Sequence, residues 1–490
     1  MTSPREIELK LELEPVQPPA PQRPKRGLPP GGETHHLVSR IFDTEDHALQ
    51  RSGLVLRLRR DGERRIQTLK AAGNGGLLDR VEWETELQGD EPDLDAIPDA
   101  AIRAEIAGAG PLAPVLETEF ERTCWHLRRE GSDLELALDI GAIRAGSAST
   151  PIREIEIELK SGSVTSMFDL AREIVAVLPA RIGIQSKSER GYRLLSPPKP
   201  GAPKARPPEL IPGMPAQLAF QAIARSCLTH FRQCEPGILR REVESLHQGR
   251  VAIRRLRSAF KLFKPLLDGP ETERITRGLR GLFQSFGDAR NLDVYLARLA
   301  VDGAAPSDLR VQMQRNREAA YDRVIRNLRS KRVRLFMIDL LAFIETGGWQ
   351  RRSDTAEIRA QRLSVYASKW LDKRWRRLGK SGRHLDRLDV ETRHRVRIDG
   401  KVFRYAVEFF AGAFPGRKAK KRQRALSDAL SALQEALGDL NDIDTAKRMM
   451  EAEASSQPDH PAPSEVDEAA LVEAACEAHD RIRKTEPFWR

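Results

Sequence analysis

The 490-residue chain is poor in cysteine: it has four, at Cys124, Cys227, Cys234 and Cys476, and no C-x-x-C pair. That spacing argues against a disulfide framework and against a zinc site, so the four read as ordinary reduced thiols. Aromatic residues are scarce at 6%, which leaves little with which to stack nucleobases. Long apolar runs are missing too. Phe336 to Ile344 is about half the ~20 residues a helix needs to cross a bilayer and contains Asp339, so no membrane span is expected. No basic and then apolar leader is visible before Glu6-Ile7-Glu8-Leu9-Lys10, which gives the cytoplasm as the expected address.

Charge is abundant and unevenly divided. Residues 1–200 hold 27 Lys+Arg against 33 Asp+Glu, residues 201–450 hold 51 against 28, and residues 451–490 hold 4 against 10. A basic excess confined to one stretch favours a polyanionic partner and fast, salt-sensitive encounter. DNA, RNA, anionic lipid and polyphosphate all satisfy that description.

The length is enough for two or three domains, and the boundary is legible. Eight prolines between Ser196 and Pro215 mark a semi-rigid linker. Before it, period-two alternation in Glu6–Leu13, Leu54–Arg59, Arg80–Glu84 and Arg153–Lys160 predicts strands with charge on one face. That face is the wet exterior of a sandwich or the lumen of a small barrel. After the linker, Ala, Leu, Arg, Glu and Gln at helical spacing predict a bundle. The fold class is therefore α+β in two domains, residues 1–195 and 216–490, joined by a 196–215 linker. Ser455 to Pro463 reads as a loop before a last amphipathic helix.

The bundle contains a long-period repeat. His247-x-x-Arg250-Val251-x-x-Arg254-x-x-Arg257 matches His394-x-x-Arg397-Ile398-x-x-Lys401-x-x-Arg404, and Gly287–Asp293 matches Gly438–Asp444. Two pseudo-symmetric halves follow, near 216–330 and 360–490.

Glu6, Glu8 and Lys10 share one strand face, as do Glu154, Glu156, Glu158 and Lys160. So many carboxylates repel unless cations intervene, and a hard divalent ion would relieve the cost. Arg57, Arg59, Lys70, Arg80, Arg122, Lys187 and Arg190 supply the opposite charge, suited to phosphate oxygens. An isolated E-x-E-x-K strand is more often a solvated face. Its near-duplicate at 154–160, with R-x-R and R-x-E-x-E strands between, weighs against that.

These strings, with Phe42-Asp43-Thr44, Gln67-Thr68-Leu69-Lys70 and Lys187-Ser188-Glu189-Arg190-Gly191-Tyr192, resemble the CYTH family of triphosphate tunnel metalloenzymes across most of residues 5–195. The resemblance implies an eight-stranded antiparallel β-tunnel that binds a triphosphate and cleaves or rearranges it with Mg²⁺ or Mn²⁺. It implies Glu6, Glu8, Asp139, Glu154 and Glu156 as metal ligands or positioners of the attacking water. Lys10, Arg57, Arg59, Lys70, Arg122 and Lys187 would bind phosphates, with Arg80, Glu158 and Arg190 as further tunnel members. Pro15 to Gly32, with its basic Arg23-Pro24-Lys25-Arg26, departs from the family, whose members commonly have a helix there.

On the other side of the linker, His247, Arg250, Arg254, Arg257 and Lys261 fall within an arc of roughly 80° at ~100° per residue, with Ile253, Leu256, Phe260 and Phe263 opposite. A basic stripe beside an apolar one is usually a solvated amphipathic helix. Its recurrence at His394, Arg397, Lys401 and Arg404 argues for a shared groove. Residues 210–490 resemble the CHAD domain, including the closing Pro487-Phe488-Trp489; Asn291 stands where that family usually has Asp, while Asp442 keeps it. The resemblance implies inorganic polyphosphate as ligand, an address that extends to polyphosphate granules, and a basic surface continued by Lys373, Arg374, Arg376, Arg377 and Lys380.

The leading expectation is metal-dependent hydrolysis of inorganic triphosphate or short polyphosphate, with the bundle gripping polyphosphate. The alternatives are a non-catalytic polyphosphate-granule binding protein, or a nucleotide enzyme such as an adenylate cyclase or thiamine triphosphatase. Nucleic acid is disfavoured as a partner, because few aromatics interleave the basic stripe.

Overall fold

The computed structural model describes residues 5–14, 27–71, 78–196, 201–302, 307–454 and 468–490. Arg23–Arg26 and Ser455–Pro463 therefore lie outside the described residues. The chain forms two compact units, one of Met1–Lys204, Leu228–Ile253 and Glu273–Gly347, the other of Ala205–Cys227, Arg254–Thr272 and Gly348–Arg490.

The first unit contains, among the described residues, nine strands: β1 (Arg5–Leu13), β2 (Glu33–Asp43), β3 (Leu54–Asp61), β4 (Arg64–Ala71), β5 (Asp79–Leu87), β6 (Ala113–Arg129), β7 (Ser132–Ala145), β8 (Ala148–Ser161) and β9 (Ala180–Ile182). Their order is β5-β4-β3-β2-β6-β7-β8-β1-β9, and β1 also pairs with β5. Eight strands thus close a barrel, as expected. The three-residue β9 takes over along Leu11–Leu13, beyond the part of β1 that faces β5.

Alternation sorts the side chains. Leu54, Leu56 and Leu58 are buried in a cluster with Leu49, Ile97 and Ile106, from helices α1 (Ala48–Arg51) and α2 (Ala100–Ala109) and the segment before α2. Helix α3 (Val164–Val177) buries Met167, Phe168, Leu170, Ala171, Ile174 and Val175. With the apolar faces covered from outside, the charged faces of the same strands are left to the interior. Backbones come close at Gly141, where a Cβ would lie 2.1 Å from the Glu119 carbonyl oxygen. Helix α4 (Lys187–Leu195) packs on β6, β7 and β8.

The helical region comprises α5 (Ala216–Leu239), α6 (Val243–Leu262), α7 (Lys264–Leu267), α8 (Pro270–Ser285), α9 (Gly287–Asp302), α10 (Ser307–Leu328), α11 (Lys331–Thr346), α12 (Ala356–Ala360), α13 (Leu363–Ser381), α14 (Val390–Phe410), α15 (Arg417–Ala454) and α16 (Glu468–Lys484). The repeated His–Arg string occupies α6 and α14; its companion opens α9 but sits in mid-helix in α15. No described helix is long and apolar enough to cross a membrane. In the second unit the scarce aromatics are spent on the core. Phe263 contacts Phe220, Tyr366 and Phe410 at ring-centroid distances of 5.6, 5.2 and 5.8 Å. The closing Phe488 and Trp489 are buried, and the Trp489 indole N–H donates to Asp372 at 2.9 Å.

Candidate active site in the barrel

Register decides which charges meet. Lys10 lies opposite Glu156 and Glu12 opposite Glu154 across the β1–β8 ladder. Glu154 then faces Asp139 on β7, and Asp139 faces Arg122 on β6. The result is a layer of carboxylates and cations around one level of the lumen. Asp139, Glu154 and Glu156 offer ligand oxygens within 4.8 Å of one another. Asp139 and Glu154 side chains are fully buried, which is tolerable only with cations beside them.

Helix α4 delivers two of those cations. Ser186 caps it, accepting from the Glu189 amide while Glu189 accepts from the Ser186 amide, so the first turn is fixed where Lys187 sits. Arg190 is one turn further on, on the same face. The Lys187 ammonium stands 2.7 Å from Asp139 and 2.9 Å from Glu156, and also pairs with Glu154. Arg190 is 3.2 Å from Glu154. Lys10 reaches Glu156 at 2.8 Å, Glu8 at 3.2 Å and Glu154 at 3.6 Å. Arg122 grips Asp139 through two hydrogen bonds of 2.7 and 2.8 Å and also pairs with Glu156. Burial alone would push the Glu156 carboxyl up, but Lys10, Lys187 and Arg122 hold it well below its ordinary value; Asp139 is lowered against burial by Lys187 and Arg122. Burial opposes the charge on Lys10 and Lys187 as well, and the carboxylates win, raising both.

A second carboxylate centre lies along the barrel wall. Lys70 is 2.7 Å from Glu82 and 3.1 Å from Glu6, and Arg57 is 3.7 Å from Glu82. Burial and a hydrogen bond shared with Glu82 raise the Glu6 carboxyl, while the same hydrogen bond, Lys70 and Arg57 lower Glu82 despite its burial. Glu158, raised by burial, pairs with Lys160 at 2.7 Å. Arg59 differs from the other described cations of the lumen. It forms no ion pair among the described residues, and its one hydrogen bond is a long 3.5 Å to the Ser39 hydroxyl. Burial, then repulsion from Arg57 and Arg122, brings its guanidinium down to about 9.

Of the expected residues, Asp139, Glu154, Glu156, Lys10, Arg122, Lys187 and Arg190 converge in one cluster, and Glu6, Lys70 and Arg57 in another. Glu6 and Glu8 stand apart from the three-carboxylate group, facing Lys70 with Glu82 and facing Lys10 respectively. Arg80 pairs through its backbone with Glu6, but its side chain lies outside the described residues. Glu82, not singled out from the sequence, was marked by the R-x-E-x-E alternation of β5. Thr68, which accepts from Arg57 at 2.8 Å, and Ser39 carried no comparable signal.

In the second unit, Arg254 and Arg404 lie on facing helices. Arg254 donates to the Tyr405 hydroxyl at 2.9 Å, and Arg404 pairs with Glu408 at 3.1 Å. Arg257 is half-buried and Lys261 exposed on α6; Arg397 and Lys401 are half-buried on α14. Arg377 pairs with Asp399 at 3.0 Å and exposed Arg376 with Asp372 at 3.6 Å. His394 hydrogen-bonds Asn441 on α15 at 2.9 Å, joining the two repeated strings of this half. In the first unit, half-buried His247 precedes Arg250 on α6, and Arg250 lies 4.3 Å from the Phe283 ring and donates to the Phe283 carbonyl at 3.2 Å.

Residues 4–192 match the CYTH domain and residues 222–451 match the CHAD domain, so the chain is a CYTH domain followed by a CHAD domain. Among curated proteins, an inorganic triphosphatase of Haemophilus influenzae is 33% identical over 193 residues, 39% of this chain. The match spans 55% of that protein's length. The crystal structure of the CHAD domain from the plant Ricinus communis is 28% identical with a TM-score of 0.46, covering 59% of this chain and 94% of that one. A putative adenylyl cyclase from Hippeastrum, described as having a dominant triphosphatase activity, is 20% identical with a TM-score of 0.26, covering 37% of this chain and 93% of that one.

Proposed function

We propose that the barrel hydrolyses inorganic triphosphate or short-chain polyphosphate with a divalent cation, and that the helical region binds polyphosphate. The observation that carries the reading is the neighbourhood of two opposite needs in one closed lumen. Asp139, Glu154 and Glu156 form a carboxylate group suited to a hard cation, and beside it Arg59 lacks a carboxylate and is repelled by Arg57 and Arg122. An anion entering there would relieve that repulsion, and a triphosphate carries several negative charges to distribute between Arg57, Arg59 and Arg122. The curated relative, an inorganic triphosphatase matched over this part of the chain, supports the same chemistry.

The donor set fits Mg²⁺ or Mn²⁺: all oxygen, with buried carboxylates close enough to share an ion. Asp139, Glu154 and Glu156 would hold it, with Glu6 and Glu8 on the adjoining strand, and when bound it would neutralise phosphoryl oxygens and acidify water. The chain's own residues do the rest. Lys10 and Lys187, both kept protonated by their carboxylate neighbours, stabilise charge on the departing phosphate as water adds across the P–O–P bond. Lys70 and Arg190 orient the remaining phosphoryl groups.

For the helical region, the support is the excess of 51 Lys+Arg over 28 Asp+Glu in residues 201–450 and the doubled stripe: His247, Arg250, Arg254, Arg257 and Lys261, then His394, Arg397, Lys401 and Arg404. Arg376 and Arg377 extend the second. Holding polyphosphate there would raise its effective concentration for the barrel. The test is phosphate release from tripolyphosphate with Mg²⁺ or Mn²⁺, beside adenosine and thiamine triphosphates. Turnover lost in Glu6→Gln/Glu8→Gln supports the reading, and no turnover by the intact chain sinks it. A barrel that retains tripolyphosphate without cleaving it would leave the granule-binding alternative.

A further inference from the structure

Helix α5 touches the barrel through buried charge. Arg232 and Glu235 have side chains only 6% and 5% exposed and pair with each other. Arg232 also donates through Nε to the Ile182 carbonyl at 2.9 Å, and its Nη2 is 3.9 Å from Glu12. Glu235 accepts from Arg181 at 2.7 Å, and Arg181 lies 3.5 Å from Glu14. Arg329, after α10, is 3.8 Å from Glu14.

The barrel partners in this set are not scattered. Glu12 follows Lys10 on the same face of β1 and lies in register with Arg181 on β9. Gly183 donates its amide to the Lys10 carbonyl at 2.8 Å, and a Cβ on Gly183 would come within 2.7 Å of Lys10 Cγ. From there the chain runs through Ser186 straight into Lys187 and α4. Arg232 and Glu235 therefore hold, at one point, the end of the strand that bears Lys10 and the start of the segment that bears Lys187. Those two lysines are the ones that meet at Glu154 and Glu156. A buried ion network is an inefficient source of stability compared with apolar packing, while its directional contacts define geometry.

We propose that Arg232 and Glu235 are positioning residues for Lys10 and Lys187, so that α5 is a working part of the barrel site and not only a connection to a polyphosphate grip. The proposal rests on reading the barrel as a triphosphate site. It predicts that loosening the network displaces the two ammonium groups relative to bound phosphate without touching either lysine.

The test uses the full chain as Arg232→Gln, Glu235→Gln and Arg232→Lys. The readouts are kcat and KM for tripolyphosphate with Mg²⁺, the tripolyphosphate Kd by calorimetry without metal, and the melting temperature. The two Gln variants should lose about 10- to 100-fold in kcat/KM, with KM and Kd both raised. Arg232→Lys, which keeps the charge but not the three-way fork, should recover part of the loss. Phe263→Leu, destabilised in the other unit's core, separates this from general loss of stability by keeping kcat/KM below its melting temperature. If Arg232→Gln does not fold, Arg232→Lys alone decides, with wild-type values in all readouts overturning the proposal. Folded Gln variants with kcat/KM and Kd within about twofold of wild type overturn it as well. A wild-type chain that binds but does not cleave tripolyphosphate sinks the hydrolase reading, yet leaves Kd to judge the network. One that does neither overturns both.

Discussion

Arg59 and Lys187 carry opposite problems. Arg59 is a cation with too few anions near it, so Arg59→Gln should leave the ligand-free protein as stable as the parent or more so, while weakening tripolyphosphate binding. The pH dependence has a definite sign. With its folded value lowered to about 9, the unfolded chain holds more protons above that pH, so Arg59 makes stability rise with pH there. Bound triphosphate should flatten the effect, as melts at pH 8–11 with and without it would show. Lys187 is the counter-ion of three carboxylates, and Lys187→Gln should cost about 3–5 kcal/mol. Adding Mg²⁺ or Mn²⁺ should restore part of that loss in a thermal melt. Glu156, held below 4.5, adds stability above that value which is lost as pH falls through its lowered one. Glu6 and Glu158 are raised and run the other way, adding stability at low pH that disappears as pH climbs through theirs. Glu156→Gln should therefore give a shallower acid limb between pH 5 and 3 than the parent.

Secondary-structure elements set how far a side chain's position can be read from a sequence. Alternation puts Glu6, Glu8 and Lys10 on one face of β1, and the barrel has them there. Face is not depth: successive same-face residues stand roughly 6–7 Å apart along a strand. Depth comes from register, which pairs Lys10 with Glu156 and leaves Glu6 beside Lys70 and Glu82. Register depends on partners far along the chain, on β5 and on β8, and no local pattern encodes it. For the same reason Arg232 and Glu235 were invisible, since an Arg and a Glu three apart on a helix look like any solvated pair. Turn chemistry was more local, and Ser186 with Glu189 is the S-x-x-E signature of a capped helix. Ser186→Ala should cost ~1 kcal/mol in stability, with a larger effect on tripolyphosphate KM because Lys187 is in the first turn. Gly141→Ala drives a Cβ into backbone rather than into a movable side chain, so it should destabilise the barrel severely or prevent folding.

Over the whole molecule, charge of opposite sign is sorted along the chain, and the barrel and the doubled basic stripe place different demands on an anion. The lumen nearly neutralises itself, whereas the stripe leaves Lys261 exposed on α6 and His394 exposed on α14. Retention of long polyphosphate should fall steeply with added salt, and Arg254→Glu/Arg404→Glu should reduce both the retention and its salt dependence. Competition with duplex and single-stranded nucleic acid checks whether phosphate density or bases are being recognised. Helix content was readable, because helical periodicity is a local signal; the closed barrel was legible only through the family resemblance, since closure joins β1 to strands far along the chain. That closure bears on biosynthesis. β1 is the first described strand to leave the ribosome, yet it must wait for β5, β8 and β9, the last ending at Ile182. One edge waits for β8, which ends at Ser161, and the other for β5 and then β9, so a nascent chain halted before Ser161 would offer Glu8 to Glu12 as an unpaired strand to chaperones or to neighbouring polypeptides.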